Sequence, residues 1–117
     1  MSMVRAPDST YAVFNELKRA AGGTRLVTYS ELARDAKIHL MNVAPRLDEI
    51  HARLREKHPG LPWLVVIAVR KDTRLPGEGL FKNEAFALDL GEPSQKVWWR
   101  AMVAAVFSTD WSGVELQ

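Results

Sequence analysis

The sequence predicts an α+β fold: a winged helix-turn-helix with a small β-hairpin wing and an extra C-terminal helix. Three observations predict it. First, Thr28 is followed three positions later by Glu31, the signature of a helix N-cap with a reciprocal capping box. Leu32 and Ala33 then supply the apolar side of a short helix. Second, Val43, Leu47, Ile50 and Leu54 recur at spacings of four, three and four, one face of a longer helix. Third, His58-Pro59-Gly60 is followed by an apolar run over 64–69 and then by a basic turn ending in Pro76-Gly77-Glu78-Gly79.

The totals bound the possibilities. With 117 residues, the chain makes a single domain, 1–117, long enough to bury a core without staples. An apolar fraction of 47% and a charged fraction of 26% are ordinary for a globular protein. No apolar run approaches the roughly 20 residues of a transmembrane helix, and residues 1–7 lack the apolar core of a signal peptide. A cytoplasmic location is the expectation. Cysteine is absent, which removes disulfides, thiolate metal sites and thiol nucleophiles. The net charge of +2 and a pI near 9.2 permit nucleic-acid binding without arguing for it.

Taken in order, residues 1–7 read as a frayed terminus. Asp8, Ser9 or Thr10 can cap a first helix whose apolar positions are Tyr11, Phe14, Leu17 and Ala21, and Gly22-Gly23 stops it. The second helix covers about 30–35. Pro45 is acceptable only in a first turn, so the third helix starts near Asn42 or Val43, with Asn42 as N-cap, and runs to about Lys57. Residues 62–69, β-branched and uncharged, read as a buried strand. Residues 70–75 form a polar hairpin or wing tip, and Leu80-Phe81 begins the return. Residues 83–90 fit a short helix or a loop, and Gly91-Glu92-Pro93-Ser94 breaks them off. Val97, Trp98, Ala101, Met102, Ala105 and Val106 mark a last helix over 94–108, with Trp111 tucked back against the body.

The order Tyr11-x-x-Phe14, then Gly23-Thr24-x-x-Val27-Thr28-Tyr29-x-x-Leu32-Ala33, resembles the C-terminal domain of O6-alkylguanine-DNA alkyltransferases and the non-catalytic alkyltransferase-like proteins. In that family a G-x-T-V-S-Y-G-x-L-A segment opens the helix-turn-helix. A recognition helix, N-P, a strand carrying P-C-H-R and a glycine-containing wing follow. The corresponding pieces here are Asn42-Val43-Ala44-Pro45-Arg46-Leu47, His58-Pro59, the run 61–69 and Leu75-Pro76-Gly77-Glu78-Gly79. The resemblance spans about residues 11–81. The segment from Leu61-Pro62 to Phe81 also resembles, more closely, small bacterial proteins with an L-P-x-L and P-G-E-G pattern that bring no known activity. Two departures matter. The acceptor cysteine falls at Val66 or Ile67, so the thiolate that alkyl transfer requires is missing. The arginine that the family inserts into the base stack falls near Met41 or Asn42, which leaves at most an apolar wedge, Met41. Tyr29 matches the tyrosine of V-S-Y, which in the family contacts a phosphate beside the flipped nucleotide.

The resemblance implies a non-catalytic protein that needs no cofactor and binds duplex DNA through the wing and the start of the recognition helix. Its candidate contacts are Tyr29, Arg34, Lys37, His39, Asn42, Arg46, Arg70, Lys71 and Arg74. Each has a plainer reading beside it. Tyr29 can be a packing tyrosine, and Arg34, Lys37 and His39 can be a solvated turn. Arg46, Arg53 and Lys57 share their helix with Asp48, Glu49 and Glu56, so Arg53 is placed to pair with Glu49 or Glu56. Arg70, Lys71 and Arg74, set against Asp72 alone, are the strongest contacts. His39, His51 and His58 lack the spacing of a metal site. The alternative is a protein-interaction module, such as an immunity, antitoxin or phage-defence accessory protein. Consecutive Trp98 and Trp99 favour it, since they point in different directions and one can face a partner.

Overall fold

The computed structural model describes residues 8–76 and 93–116. Four helices surround a very small parallel sheet, a mostly helical α+β arrangement. In chain order they are α1 (Asp8–Gly22), β1 (Val27–Thr28), α2 (Tyr29–Ala36), α3 (Val43–Lys57), β2 (Ala68–Val69) and α4 (Pro93–Phe107). Short 3-10 turns precede α3 at Leu40–Asn42 and β2 at Leu64–Ile67.

Helix α1 buries Val13, Phe14, Leu17, Ala20 and Ala21, which recur at helical spacing and pack against both α2 and α3. It ends at the expected glycines, but neither glycine takes the left-handed conformation. Thr24 does, at φ 53°, while Arg25 N–H donates to Ala20 O and Thr24 N–H to Ala21 O. These bonds satisfy the carbonyls that the end of a helix leaves open. The capping box forms as expected. Glu31 N–H donates to Thr28 Oγ1 at 3.1 Å and Thr28 N–H donates to Glu31 Oε1 at 2.9 Å.

Two expectations about the central elements are corrected. Asn42 precedes α3 but makes no side-chain cap, because the chain enters α3 from a 3-10 turn with Asn42 already in a helical conformation. The capping side chain is His39, whose Nδ1 accepts from Met41 N–H at 3.1 Å. The run 62–69 is a strand only at its last two residues. Its partner β1 is just two residues long and pairs in parallel, Val27 with Ala68 and Thr28 with Val69. Among the described residues no strand lies beside 64–67, and the backbone there bonds to itself, Val66 N–H donating to Trp63 O at 3.1 Å.

Burial of this run is nonetheless complete: every residue from 64 to 69 is at zero exposure. It touches α1, α3 and α4. Trp99 closes it from α4, donating its indole Nε1–H to Val66 O at 2.9 Å. Helix α4 lies where the sequence places the last helix. Trp111 does tuck back, 3% exposed, with Nε1–H on Val106 O. Polar groups join α1 to α3 at the edge of the core, where Thr10 Oγ1 donates to Glu49 Oε2 at 2.9 Å. The sequence readings over 77–92, including the glycine-rich turn and the return through Leu80-Phe81, lie outside the described residues.

Two measurements test these contacts. The Thr28 N–H bond, partly opposed by desolvation and aided by the Thr28 hydroxyl, Arg25 and Arg34, holds the Glu31 carboxyl below its ordinary pKa. A folded pKa below the unfolded one adds stability above the unfolded value and loses it as pH falls through the folded value. Urea unfolding should therefore show Thr28→Ala costing about 1 kcal/mol. Glu31→Ala should be destabilising at neutral pH, with a deficit that shrinks on acidification below the carboxylate range. Separately, Trp99→Phe leaves Val66 O without its indole donor and should lower stability by about 1–3 kcal/mol in the same assay.

Candidate functional site

The parallel register of β1 and β2 sets the geometry of the surface. Thr28 lies beside Val69, so the next residue of each strand, Tyr29 and Arg70, leaves the sheet at the same end. Between them and the start of α3 is an open cleft of about 570 Å³. It is lined by Tyr29 and Ser30 from α2, Leu40, Val43 and Ala44 from the entry to α3, and Arg70, Lys71 and Asp72 from the turn after β2. Three segments distant in sequence thus share one concave surface. Its floor is apolar and one rim is charged.

The turn over residues 70–75 is internally bonded: Arg70 N–H donates to Leu75 O and Arg74 N–H to Arg70 O, both at 2.9 Å. Arg74 adopts a left-handed φ of 58° to make it. Residues 70–75 form a turn, and the return that the sequence reading places at Leu80-Phe81 lies outside the described residues. Arg70 reaches back to Asp72, with Nη2 and Nε at 2.9 and 3.1 Å from the two carboxylate oxygens. Desolvation raises the Asp72 pKa, but the Thr73 N–H bond and the Arg70 charge outweigh it and hold the carboxyl below its usual value. Lys71 and Arg74 are exposed and make no ion pair with a described residue.

The remaining candidates divide. Lys37 is exposed at the end of α2 in a left-handed conformation, φ 59°. His39 and Asn42 are exposed on the turn into α3. Arg34 is exposed but held by its neighbour, Nε donating to Asp35 Oδ1 at 2.9 Å. That bond lowers the Asp35 pKa. Arg46 does not line the cleft. Its guanidinium turns into the seam between α1 and α3, 3.4 Å from Thr10 Oγ1 and 3.7 Å from Glu49. Arg53 pairs with the same Glu49 at 3.2 Å, the pairing its spacing predicts.

Other side chains considered from sequence have structural places. His51 packs edge-on against Trp63, with ring centroids 4.7 Å apart. His58 sits 3.2 Å from Glu115 O. No group of His, Asp and Glu among the described residues could hold a metal ion. The consecutive tryptophans point in different directions, as their spacing predicts: Trp99 is buried, and Trp98 is half-buried, edge-on to Trp63 at 5.2 Å. Helix α4 packs across the buried run with Trp99 inward and Trp98 toward Trp63. Val66 and Ile67, where the resemblance puts the acceptor cysteine, are fully buried and do not line the cleft.

Sequence reasoning missed Ser30, Leu40 and Ala44 as parts of the surface. For Leu40 a signal existed: Leu40-Met41 is a pair of large apolar residues in a connection between helices, and both are exposed. No described helix is long and apolar enough to cross a membrane. The chain matches no protein-family profile, no curated protein and no solved structure.

Proposed function

We propose that the chain is a non-catalytic DNA-binding protein of the alkyltransferase-like winged-helix type, holding the phosphate backbone between the turn after β2 and the entry to α3. The observation that carries this reading is the convergence of Tyr29, Leu40, Arg70 and Lys71 on one cleft. The resemblance expects contacts from these same separated segments. Exposed Lys71 and Arg74 supply cations on one side, and Lys37 and His39 supply donors near the other. Binding without chemistry fits a chain with no thiol whose two acceptor positions are sealed in the core.

The carboxylates shape the mode of binding. Asp48 and Glu56 are exposed on α3 and Glu49 is partly so, and carboxylates beyond the first turn of that helix oppose its entry into a DNA groove. Contact is therefore confined to the first turn of α3 and is dominated by phosphates. Such binding is weakly selective for sequence and strongly weakened by salt.

Fluorescence anisotropy with a labelled duplex tests this. The wild type should bind at micromolar concentration or tighter in about 50 mM salt and lose affinity steeply by about 200 mM. In Arg70/Lys71/Arg74→Ala the affinity should fall, and the log–log salt slope should flatten by about 2–3, near 0.9 for each phosphate contact removed. Asp72→Asn, which frees Arg70, should bind several-fold tighter than the wild type. Affinity that does not change with salt would sink the backbone-contact reading.

A further inference from the structure

The cleft beside β2 offers more than phosphate contacts use. Its volume of about 570 Å³ falls among those of small-molecule sites, which run from about 300 to 1,000 Å³ and are mostly apolar with a few polar groups converging. Phosphates meet only the charged rim. Leu40, Val43 and Ala44 supply a hydrocarbon wall and floor that no phosphate contact employs. Val43 is sealed to 1% exposure, whereas Leu40 stays 52% exposed on the wall. Apolar side chains left open in a concave surface mark a place where the apolar part of a ligand leaves water.

The rim sets the charge of that ligand. Arg70, Lys71 and Asp72 carry two positive charges and one negative. Arg70 is spent on Asp72, whose two oxygens accept from its Nη2 and Nε at 2.9 and 3.1 Å. Asp72 also accepts Thr73 N–H at 2.9 Å, so its charge is answered within the turn. Lys71 is exposed and makes no ion pair with a described residue. One unbalanced positive charge matches one negative charge on a ligand, while a dianion brings a second that Asp72 repels. Tyr29 and Ser30 belong to the same lining, and hydroxyls of this kind donate to carboxylate oxygens.

We propose that the cleft is a binding site for a small amphiphilic monoanion, a carboxylate on an aromatic or branched body. The body lies on Leu40, Val43 and Ala44, and the head group meets Lys71. The head group and a DNA phosphate draw on the same lysine, so ligand and duplex exclude each other. The site stands on the cleft alone, and the exclusion rests on the DNA-binding reading above.

The probes are phenylbutyrate, its neutral amide phenylbutyramide, and acetate, titrated into the isotope-labelled full chain and followed through backbone amide shifts. Phenylbutyrate should shift Tyr29, Ser30, Leu40, Ala44 and Lys71 and saturate with a Kd of about 1 mM or tighter. Phenylbutyramide keeps the body, loses the charge and should bind about fivefold more weakly. Acetate, a head group without a body, should give no saturable shift. Lys71→Ala should bring acid and amide to the same affinity. Leu40→Ser should weaken both about threefold and keep the gap between them. The wild-type comparison of acid with amide needs no variant and carries the test by itself. In anisotropy, phenylbutyrate at about ten times its Kd should raise the apparent Kd of a labelled duplex about tenfold, with ionic strength matched by acetate. Equal affinity for acid and amide, saturable binding of acetate, or shifts lying away from the cleft would overturn the site. Ligand binding that leaves duplex affinity unchanged would overturn the exclusion and leave the DNA-binding reading standing. Ligand binding by a chain that binds no duplex at low salt would overturn that reading, and the exclusion with it, and leave the site standing.

Discussion

Six consecutive apolar residues, 64–69, run through the centre of this molecule at zero exposure, and their backbone must be hydrogen-bonded without a full sheet to pair with. A buried, unpaired peptide group costs about as much as a lost hydrogen bond, so the run needs partners at every step. The molecule supplies them in three ways. The first four residues bond within a 3-10 turn, the last two pair with β1, and Val66 O receives the indole of Trp99 from α4. The positions of the other elements follow from this. Helices α1 and α3 cover the turn, α4 is anchored across it, and the two-residue pairing fixes Tyr29 beside Arg70.

That constraint also explains which features were legible in the sequence. Helices are encoded locally, so the apolar spacing of Tyr11, Phe14, Leu17 and Ala21, the Thr28–Glu31 box and the Pro45 limit all locate them to within a residue or two. The identity of a buried apolar run is not local. Residues 62–69 have strand composition, but a strand exists only where a partner lies alongside, and two residues of β1 provide for two residues of β2. Caps fail in a similar way. Asn42 is a good N-cap by type, yet the preceding turn already holds it in a helical conformation, and the capping falls to His39 three residues earlier. Thr24 rather than a glycine takes the left-handed position after α1 because the closing hydrogen bonds from residues 24 and 25 place it there.

The candidate surface was half legible. Tyr29, Arg70 and Lys71 could be named from type and order, and all three line the cleft. What sequence could not separate was cations engaged within the molecule from cations facing outward. Arg34, Arg46, Arg53 and Arg70 all have carboxylate partners within 4 Å, through Asp35, Glu49 and Asp72. Such pairs at a surface contribute little stability, but they cancel positive charge where a polyanion would meet it. Of the nine candidates, Lys37, Lys71 and Arg74 are the exposed lysines and arginines that make no ion pair with a described residue.

A cleft with this lining has consequences for what the protein can do. Among the described residues, Tyr29 and Ser30 supply the hydroxyls of the cleft and Asp72 its carboxylate. Asp72 is held by the Arg70 guanidinium and Thr73 N–H, which stabilise its charged form and make it a weak base. On the proposed reading, the cations of the turn after β2 hold phosphates, and binding of that kind is fast and indiscriminate. The cleft is assembled from two turns distant in sequence, the one after β2 and the one before α3, so its shape depends on the two-residue pairing that holds them at one end of the sheet.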